Sequence, residues 1–314
     1  MRILLILAIL ILGLAALTVW RAARNEAQAR IDTPPLGEII EVEGHDVHAL
    51  VKGSGPDLVL IHGSSGNIRD FTHSLVDQLT DRYRVIVLDR PGLGYSEAVN
   101  PKGDTIFEQA AILQKAAAQL GADKPIVVGQ SYGGTVALAW SADHPDALSA
   151  LVTLAAPAEP WDTPLAGLYE INSNPWLSWA VLPVISAWVP NSHVQNVLTE
   201  VFAPQPVPEG YLSHFGRMTL SRGSQKATAL QRKRFLDEVR ALKPRYGQIT
   251  VPTEVLHGDA DDTVNIDLHT PSLLNAIDGA QLTTLPGIGH MPQHVAQEAV
   301  LDAIDRAATR AALR

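Results

Sequence analysis

VVGQSYGGTV, residues 127–136, takes a β-branched run into a glycine, then a serine, then two more glycines. The run reads as the end of a buried strand, and the TVALAWSA that follows the glycines reads as a helix. A serine at such a junction fits the G-x-S-x-G turn, in which a tight backbone projects the hydroxyl above the edge of the sheet. Gly129 and Gly133 then follow from crowding, because strand and helix meet where little side chain can be tolerated. A serine hydroxyl is a weak nucleophile until a base takes its proton, so Ser131 calls for a histidine, itself oriented by a carboxylate, farther along the chain.

Both occur in suitable loops. Asp261 lies in HGDADDTV (257–264), just beyond the apolar run TEVL, and Asp259 and Asp262 are its neighbours there. His290 lies in LPGIGHMP (285–292), just beyond a predicted strand over 281–285. The order Ser131, Asp261, His290 is nucleophile, acid, histidine.

The surrounding pattern supplies the sheet. IIEVEG and VHALVKGSG predict an antiparallel hairpin, followed by LVLI (58–61), VIVL (85–88), IVVG (126–129), ALVTL (150–154) and TEVL (253–256). These later runs are continuously apolar, as strands covered on both faces of a parallel sheet are. Segments of helical composition at 105–120, 134–141 and 295–308 lie between or after them, so the chain reads as a doubly wound α/β sheet. One connection is far too long: about 90 residues of helical or irregular character, 158–248, precede the last strands and predict an inserted helical lid. Trp161, Trp176, Trp179 and Trp188 fall in it, read either as the insertion's own core or as an apolar face over a pocket, and no charged residue occurs between Glu170 and Glu200. Residues 217–245 carry nine lysines and arginines against Asp237 and Glu238, which reads as a solvated helix face or a surface against anionic lipid.

At the N-terminus, residues 3–20 are 18 uncharged, mostly apolar positions between Arg2 and the pair Arg21 and Arg24, long enough to span most of a bilayer. They read as a membrane anchor; the alternative is a secretion signal cleaved near Ala27 and Ala29. Arginines on both flanks leave the side of the membrane open. The expected organisation is therefore a transmembrane anchor (1–24), a linker (25–36), a first core segment (37–157), the lid (158–248) and a second core segment (249–314). With 314 residues, 46% of them hydrophobic, the chain can bury a full core. Its net charge of −9 argues against nucleic acid as a partner, and the lack of cysteine excludes disulfides, thiolate metal sites and thiol nucleophiles.

HGSSGN (62–67), DRPGLGYS (89–96), GQSYGG (129–134), GDADDTV (258–264) and GIGH (287–290) stand in this order. By these five motifs, over about residues 37–157 and 249–314, the chain resembles the lidded α/β-hydrolases, which include esterases, carbon–carbon bond hydrolases, epoxide hydrolases and haloalkane dehalogenases. The resemblance implies an α/β-hydrolase fold, prefers Asp261 over Asp259 and Asp262, and assigns the oxyanion hole to the backbone N–H groups of Ser64 and Tyr132. The sequence departs from the frequent HGxP pattern, with Ser65 in place of proline, and has no HGGG loop. Dehalogenases and epoxide hydrolases carry aspartate where Ser131 stands, so serine implies acyl chemistry: hydrolysis of a carboxylic ester or related acyl bond of an apolar small molecule, needing no metal or organic cofactor. Carbon–carbon, lactone or perhydrolase chemistry on the same triad, or a non-catalytic binding protein, are the alternatives.

Other candidates read as structural. His62 holds its loop rather than acting as a base, Asp89 and Arg90 serve the turn, and His294 lines the histidine loop. His45 and His48, three apart on a strand, face opposite sides. DADD fails as a calcium loop, because Val264 and Thr270 stand where glycine and glutamate are required.

Overall fold

The apolar runs pair into one eight-stranded sheet in a computed structural model that describes residues 1–314. The chain begins with α1 (Arg2–Asp32) and the hairpin β1 (Glu38–Val42) and β2 (His45–Lys52), then β3 (Asp57–Ile61), α2 (Arg69–Thr72), α3 (Leu75–Leu79) and β4 (Arg84–Leu88). It continues through α4 (Ile106–Gln119), β5 (Ile126–Gln130), α5 (Tyr132–Asp143) and β6 (Ala150–Leu154). Next come α6 (Gly167–Ser173), α7 (Pro175–Trp188), α8 (Asn191–Phe202), α9 (Tyr211–Phe215) and α10 (Arg222–Leu242). The chain closes with β7 (Thr253–Gly258), α11 (Ile266–Ala276), β8 (Gln281–Leu285), α12 (Pro292–Val295) and α13 (Gln297–Arg310).

The strand order is β1-β2-β4-β3-β5-β6-β7-β8, antiparallel across the first two pairings and parallel from β4 onward. The hairpin turns on Glu43 and Gly44, both at positive φ (54° and 83°), the combination a two-residue primed turn requires. In β3, Val59 and Ile61 join a core with α4, α5 and the lid's Phe235, while Leu58 and Leu60 join one with α2, α3 and α13. Burial on both faces explains why these strands read as unbroken apolar runs; each such side chain contributes about 2 kcal/mol relative to exposure.

Helices α6 to α10 fall between β6 and β7. Asn174 starts α7 by accepting the N–H groups of Trp176 and Leu177, and Ser221 starts α10 by accepting that of Ser224. Near the C-terminal end of α10, Phe235 stacks on Tyr132 at 4.1 Å between ring centroids.

Three expectations change. The linker over 25–36 is helical as far as Asp32, and α1 lies against the lid. The cause is helix-end chemistry. Arg21 Nε donates to the Ala187 carbonyl (2.8 Å) and Asn25 Nδ2 to that of Ser186 (2.9 Å), which satisfies acceptors left open at the C-terminus of α7. Glu26 accepts the Arg222 N–H (2.9 Å) at the first turn of α10 and pairs with its guanidinium (2.8 Å), placing negative charge at that helix's positive end. Second, the basic run is not simply a solvated face: Arg222, Arg234, Arg240, Lys243 and Arg245 pair with Glu26, Glu238, Asp237, Glu159 and Asp143. Third, the lid tryptophans divide. Trp161 packs on Phe235 and His269, whereas Trp176 and Trp179 face outward, neither core nor pocket wall.

The approach of α5 to the sheet yields a test. A Cβ at Gly133 would overlap the carbonyl oxygens of Ile61 and His62, backbone that cannot swing aside, whereas one at Gly167 meets nothing within 4 Å. Gly133→Ala is expected to cost about 2 kcal/mol or more, and Gly167→Ala no more than about 0.5 kcal/mol, in urea unfolding.

Candidate active site

Between the last residue of β5 and the first of α5, Ser131 holds φ 51° and ψ −124°. A left-handed φ is costly for a residue with a Cβ, and the glycines around it let the turn close. A Cβ at Gly129 would strike the Gly133 carbonyl, and one at Gly134 the Ala156 side chain. Gly63 is packed so closely that its Cβ would lie 3.3 Å from that of Ser131, so the loop after β3 abuts the serine.

The structure brings together the three side chains that the sequence aligns. His290 Nε2 lies 2.9 Å from Ser131 Oγ, and His290 Nδ1 lies 2.8 Å from Asp261 Oδ2. All three residues are buried. With the Nδ1 proton given to Asp261, Nε2 is left as acceptor for the serine hydroxyl. Burial pushes the Asp261 carboxyl up, but the His257 imidazole 3.4 Å away, the hydrogen bond from His290 and the N–H of Val264 outweigh it and hold the group well below the usual carboxylate range. Asp261 Oδ1 also accepts the Thr263 N–H at 2.9 Å. Of its neighbours, Asp262 is exposed and Asp259 accepts the Gly287 N–H. Gln130, the variable position of the serine motif, donates from Nε2 to the His290 carbonyl (3.1 Å) and fixes the histidine loop. The sequence gives no sign of that role, since any residue fits there.

Opposite the triad, the loop after β3 hangs on Arg90. Its Nε donates to the His62 carbonyl (2.9 Å), its two terminal nitrogens to the Gly63 carbonyl (2.8 Å) and to the side-chain oxygens of Gln109 (2.7 Å) and Gln231 (3.0 Å). His62 Nδ1 donates to the Gly63 carbonyl and Nε2 accepts the Arg90 N–H, both at 3.0 Å, which only a neutral imidazole can do. Burial, and then the Arg90 charge, push the His62 pKa down to about 4. The backbone N–H groups of Ser64 and Tyr132 have no acceptor within the chain. They are unpaired donors in the loop beside Ser131 and directly after it.

Asp89 accepts from His48 (2.6 Å), from the Ile68 N–H (2.7 Å) and from the Tyr95 N–H (2.9 Å), so it ties β2, β4 and two loops together. His45 is partly exposed and His48 buried, as opposite faces require. His294, just after the histidine loop, places its Nε2 2.9 Å from Asp70, whose carboxylate also accepts from Tyr211 of α9 and from Gln293.

A family model described as alpha/beta hydrolase fold matches residues 56–297. Among curated proteins, the chain is 24% identical to haloalkane dehalogenase 2 of Mycobacterium tuberculosis over 82% of this chain and 90% of that one. It is 26% identical to a 2-hydroxy-6-oxononadienedioate/2-hydroxy-6-oxononatrienedioate hydrolase of Klebsiella pneumoniae, over 80% and 83%. Among solved structures, a bacterial membrane phospholipase A superposes with a TM-score of 0.66 at 22% identity, over 98% of this chain and 99% of that chain, which shows a shared fold.

The neutral His62 carries a pH signature. Its folded pKa of about 4 lies below the unfolded value near 6.5, so its contribution to stability is whole above pH 6.5 and is lost as pH falls towards 4. Compared with His62→Gln, the parent is expected to lose about 1.4 kcal/mol more for each pH unit across that window, read from urea unfolding. Parallel pH dependences would mean that folding does not depress the His62 pKa and that the ring takes its proton as readily in the folded chain as in the unfolded one.

Proposed function

The chain belongs to the α/β-hydrolase family, and on that premise we propose that it is a membrane-anchored serine hydrolase that cleaves a carboxylic ester of an apolar small molecule. The observation that carries the reading is the unbroken chain of hydrogen bonds from Ser131 through His290 to Asp261. In the reaction, Ser131 Oγ attacks the ester carbonyl while His290 Nε2 takes its proton. Asp261 stays ionised throughout, keeps the second imidazole proton on Nδ1 and stabilises the imidazolium. Negative charge developing on the carbonyl oxygen is met by the N–H groups of Tyr132 and Ser64, which have no acceptor within the chain and are free to donate. His290 then protonates the leaving alcohol, and water, activated by the same imidazole, releases the acid from the acyl-enzyme.

Anchoring is supported by α1, one helix long and apolar enough to cross a membrane, whose most apolar 18-residue stretch is only 6% buried against the rest of the chain. The apolar substrate class is supported by the same helix, which would hold the site at a bilayer, where apolar esters concentrate. Carbon–carbon bond cleavage on the same triad is a second reading, favoured by the 26% identity to the Klebsiella hydrolase.

A fluorophosphonate probe is expected to label the parent chain at Ser131 and to leave Ser131→Ala unlabelled; equal labelling of both would sink the serine assignment. Asp261→Asn, which allows the wrong imidazole tautomer, is expected to lower kcat by about 10⁴-fold on an ester substrate. For the substrate class, turnover should rise with acyl-chain length across a series of nitrophenyl esters and exceed that of a ring-cleavage diketone or a lactone. Equal turnover of charged, water-soluble esters would count against the apolar assignment.

A further inference from the structure

Helix α7 is inverted for a helix resting on a protein core. Its buried positions include Ser178, Leu182 and Ser186, while Trp176, Leu177, Trp179, Val184 and Trp188 stand outward. Trp176 is 86% exposed and Trp179 83%. A tryptophan carries about 150–250 Å² of buriable surface, and a contiguous apolar patch of several such side chains marks an interaction surface. No Asp, Glu, Lys or Arg occurs from 171 to 199, so nothing charged interrupts this face.

We propose that the outward face of α7 lies in the bilayer beside α1, at the depth where hydrocarbon gives way to headgroups, making the lid a second membrane contact. The inference rests on the reading of α1 as a span. Residues 3–20 rise about 27 Å as a helix, close to the hydrocarbon thickness, and α7 is fastened to α1 at the end of that run. Trp188 Nε1 donates to Thr18 Oγ1 (3.1 Å), and Arg21 and Asn25 hold the carbonyls at the C-terminus of α7. The same level carries a collar of the kind that sits among headgroups. Arg21 lies 4.4 Å over the Trp188 ring, Arg24 lies 5.6 Å from that of Trp20, and Arg217 donates to the Val189 carbonyl at 2.9 Å. The exposed face of α7 therefore continues the lipid-facing surface of α1 through a tryptophan and arginine belt, which favours lipid over a second protein as its occupant. Behind α7 lies α10, whose Thr228 and Phe235 stand over Ser65 and Tyr132, so the membrane side of the lid backs directly onto the roof of the triad.

The native chain has no cysteine, so single nitroxide labels can be placed at will. Full-length Trp179→Cys, Leu10→Cys and Lys124→Cys would be labelled, reconstituted in phosphatidylcholine vesicles containing phosphatidylglycerol, and compared for collision with oxygen, which concentrates in lipid, and with a nickel chelate confined to water. Positions 10 and 179 are expected to favour oxygen, and 124, on the exposed loop before β5, to favour nickel. If 10 favours oxygen and 179 behaves like 124, the α7 proposal falls and the anchor stands. If 179 is shielded from both agents and shows dipolar broadening between labels, a second copy covers α7 and the proposal falls. If 10 itself favours nickel, the span fails and the proposal with it. As an activity readout, Trp176→Ser with Trp179→Ser is expected to slow hydrolysis of an ester embedded in vesicles while leaving a water-soluble short-chain ester unchanged. An unchanged rate on both would overturn the proposal, and the depth measurement decides it even for a chain with no esterase activity.

Discussion

The left-handed backbone at Ser131 is the constraint around which the rest of the molecule is arranged. Holding a serine at φ 51° costs on the order of 1–3 kcal/mol, so the surroundings have to over-determine it. They do so from both sides of the turn. The Ser131 N–H donates to the Leu154 carbonyl of β6 (2.8 Å), and the Ser131 carbonyl accepts the N–H groups of Gly134 (2.8 Å) and Thr135 (3.3 Å). Thr135 Oγ1 in turn donates to the Pro157 carbonyl at 2.6 Å, pinning α5 to the chain leaving β6. The hydroxyl is thus placed by the sheet rather than by its own rotamer alone, and the glycines are the condition for helix and strands to approach closely enough to do it.

Charge near the turn is managed by dense local donors rather than by solvent. Asp261 is buried, which disfavours its ionised form, yet two backbone N–H groups, the His290 imidazole and the nearby ring of His257 reverse the sign. Arg90 meets the complementary problem. Burial pushes its pKa down to about 10, which still leaves it charged at neutral pH. Its guanidinium is satisfied by two carbonyls and two amide oxygens instead of by a direct carboxylate partner, with the Tyr132 ring 4.4 Å away. The guanidinium thereby holds the His62 and Gly63 carbonyls at one end of the loop, while the Asp89 carboxylate holds the other end at the Ile68 N–H.

Much of this was legible in the sequence because it rests on local rules. Apolar runs, the hairpin broken at Gly44 and the ordered loops at Ser131, Asp261 and His290 each announce themselves within ten residues. What escaped depends on partners far apart in the chain. Arg21, Asn25 and Glu26 read as a polar linker because nothing nearby reveals that their acceptors and donors sit at the ends of two lid helices some 160 to 196 positions away. The basic run reads as solvated for the same reason, its acids Glu26, Asp143 and Glu159 lying well upstream. For the tryptophans the failure is of another kind. Periodicity separates apolar faces from polar ones, but in α7 serines occupy the buried face, and an apolar outer face gives the same count of hydrophobic residues as an apolar inner one.

These long-range bonds divide the lid into two parts with different attachments. From α6 to α8, residues 167–202, no hydrogen bond reaches the sheet; the fastenings go to α1 and, through Arg217, to the lid itself. Helix α10 is bound at both levels. Arg222 at its start holds Glu26 of α1, whereas Gln231, two turns on, accepts from Arg90 and donates to the Pro91 carbonyl (2.9 Å), and Phe235 stacks on Tyr132. Withdrawing α10 would strip a buried guanidinium of one of its acceptors, a cost of about 1–3 kcal/mol before any packing is lost. No hydrogen bond ties α6 or α7 to the sheet, whereas α8 ends on Phe202, which joins Tyr211, Phe215 and Met291 in one buried cluster and lies 5.4 Å from the His294 ring. Helices α6 and α7, held to α1, are therefore free of the hydrogen bonds around Ser131 and His290, and a displacement of one is felt by the other through α10, at Arg90 and Tyr132, and through the end of α8, where Phe202 packs beside His294 and Gln205 holds the carbonyl of Gly287.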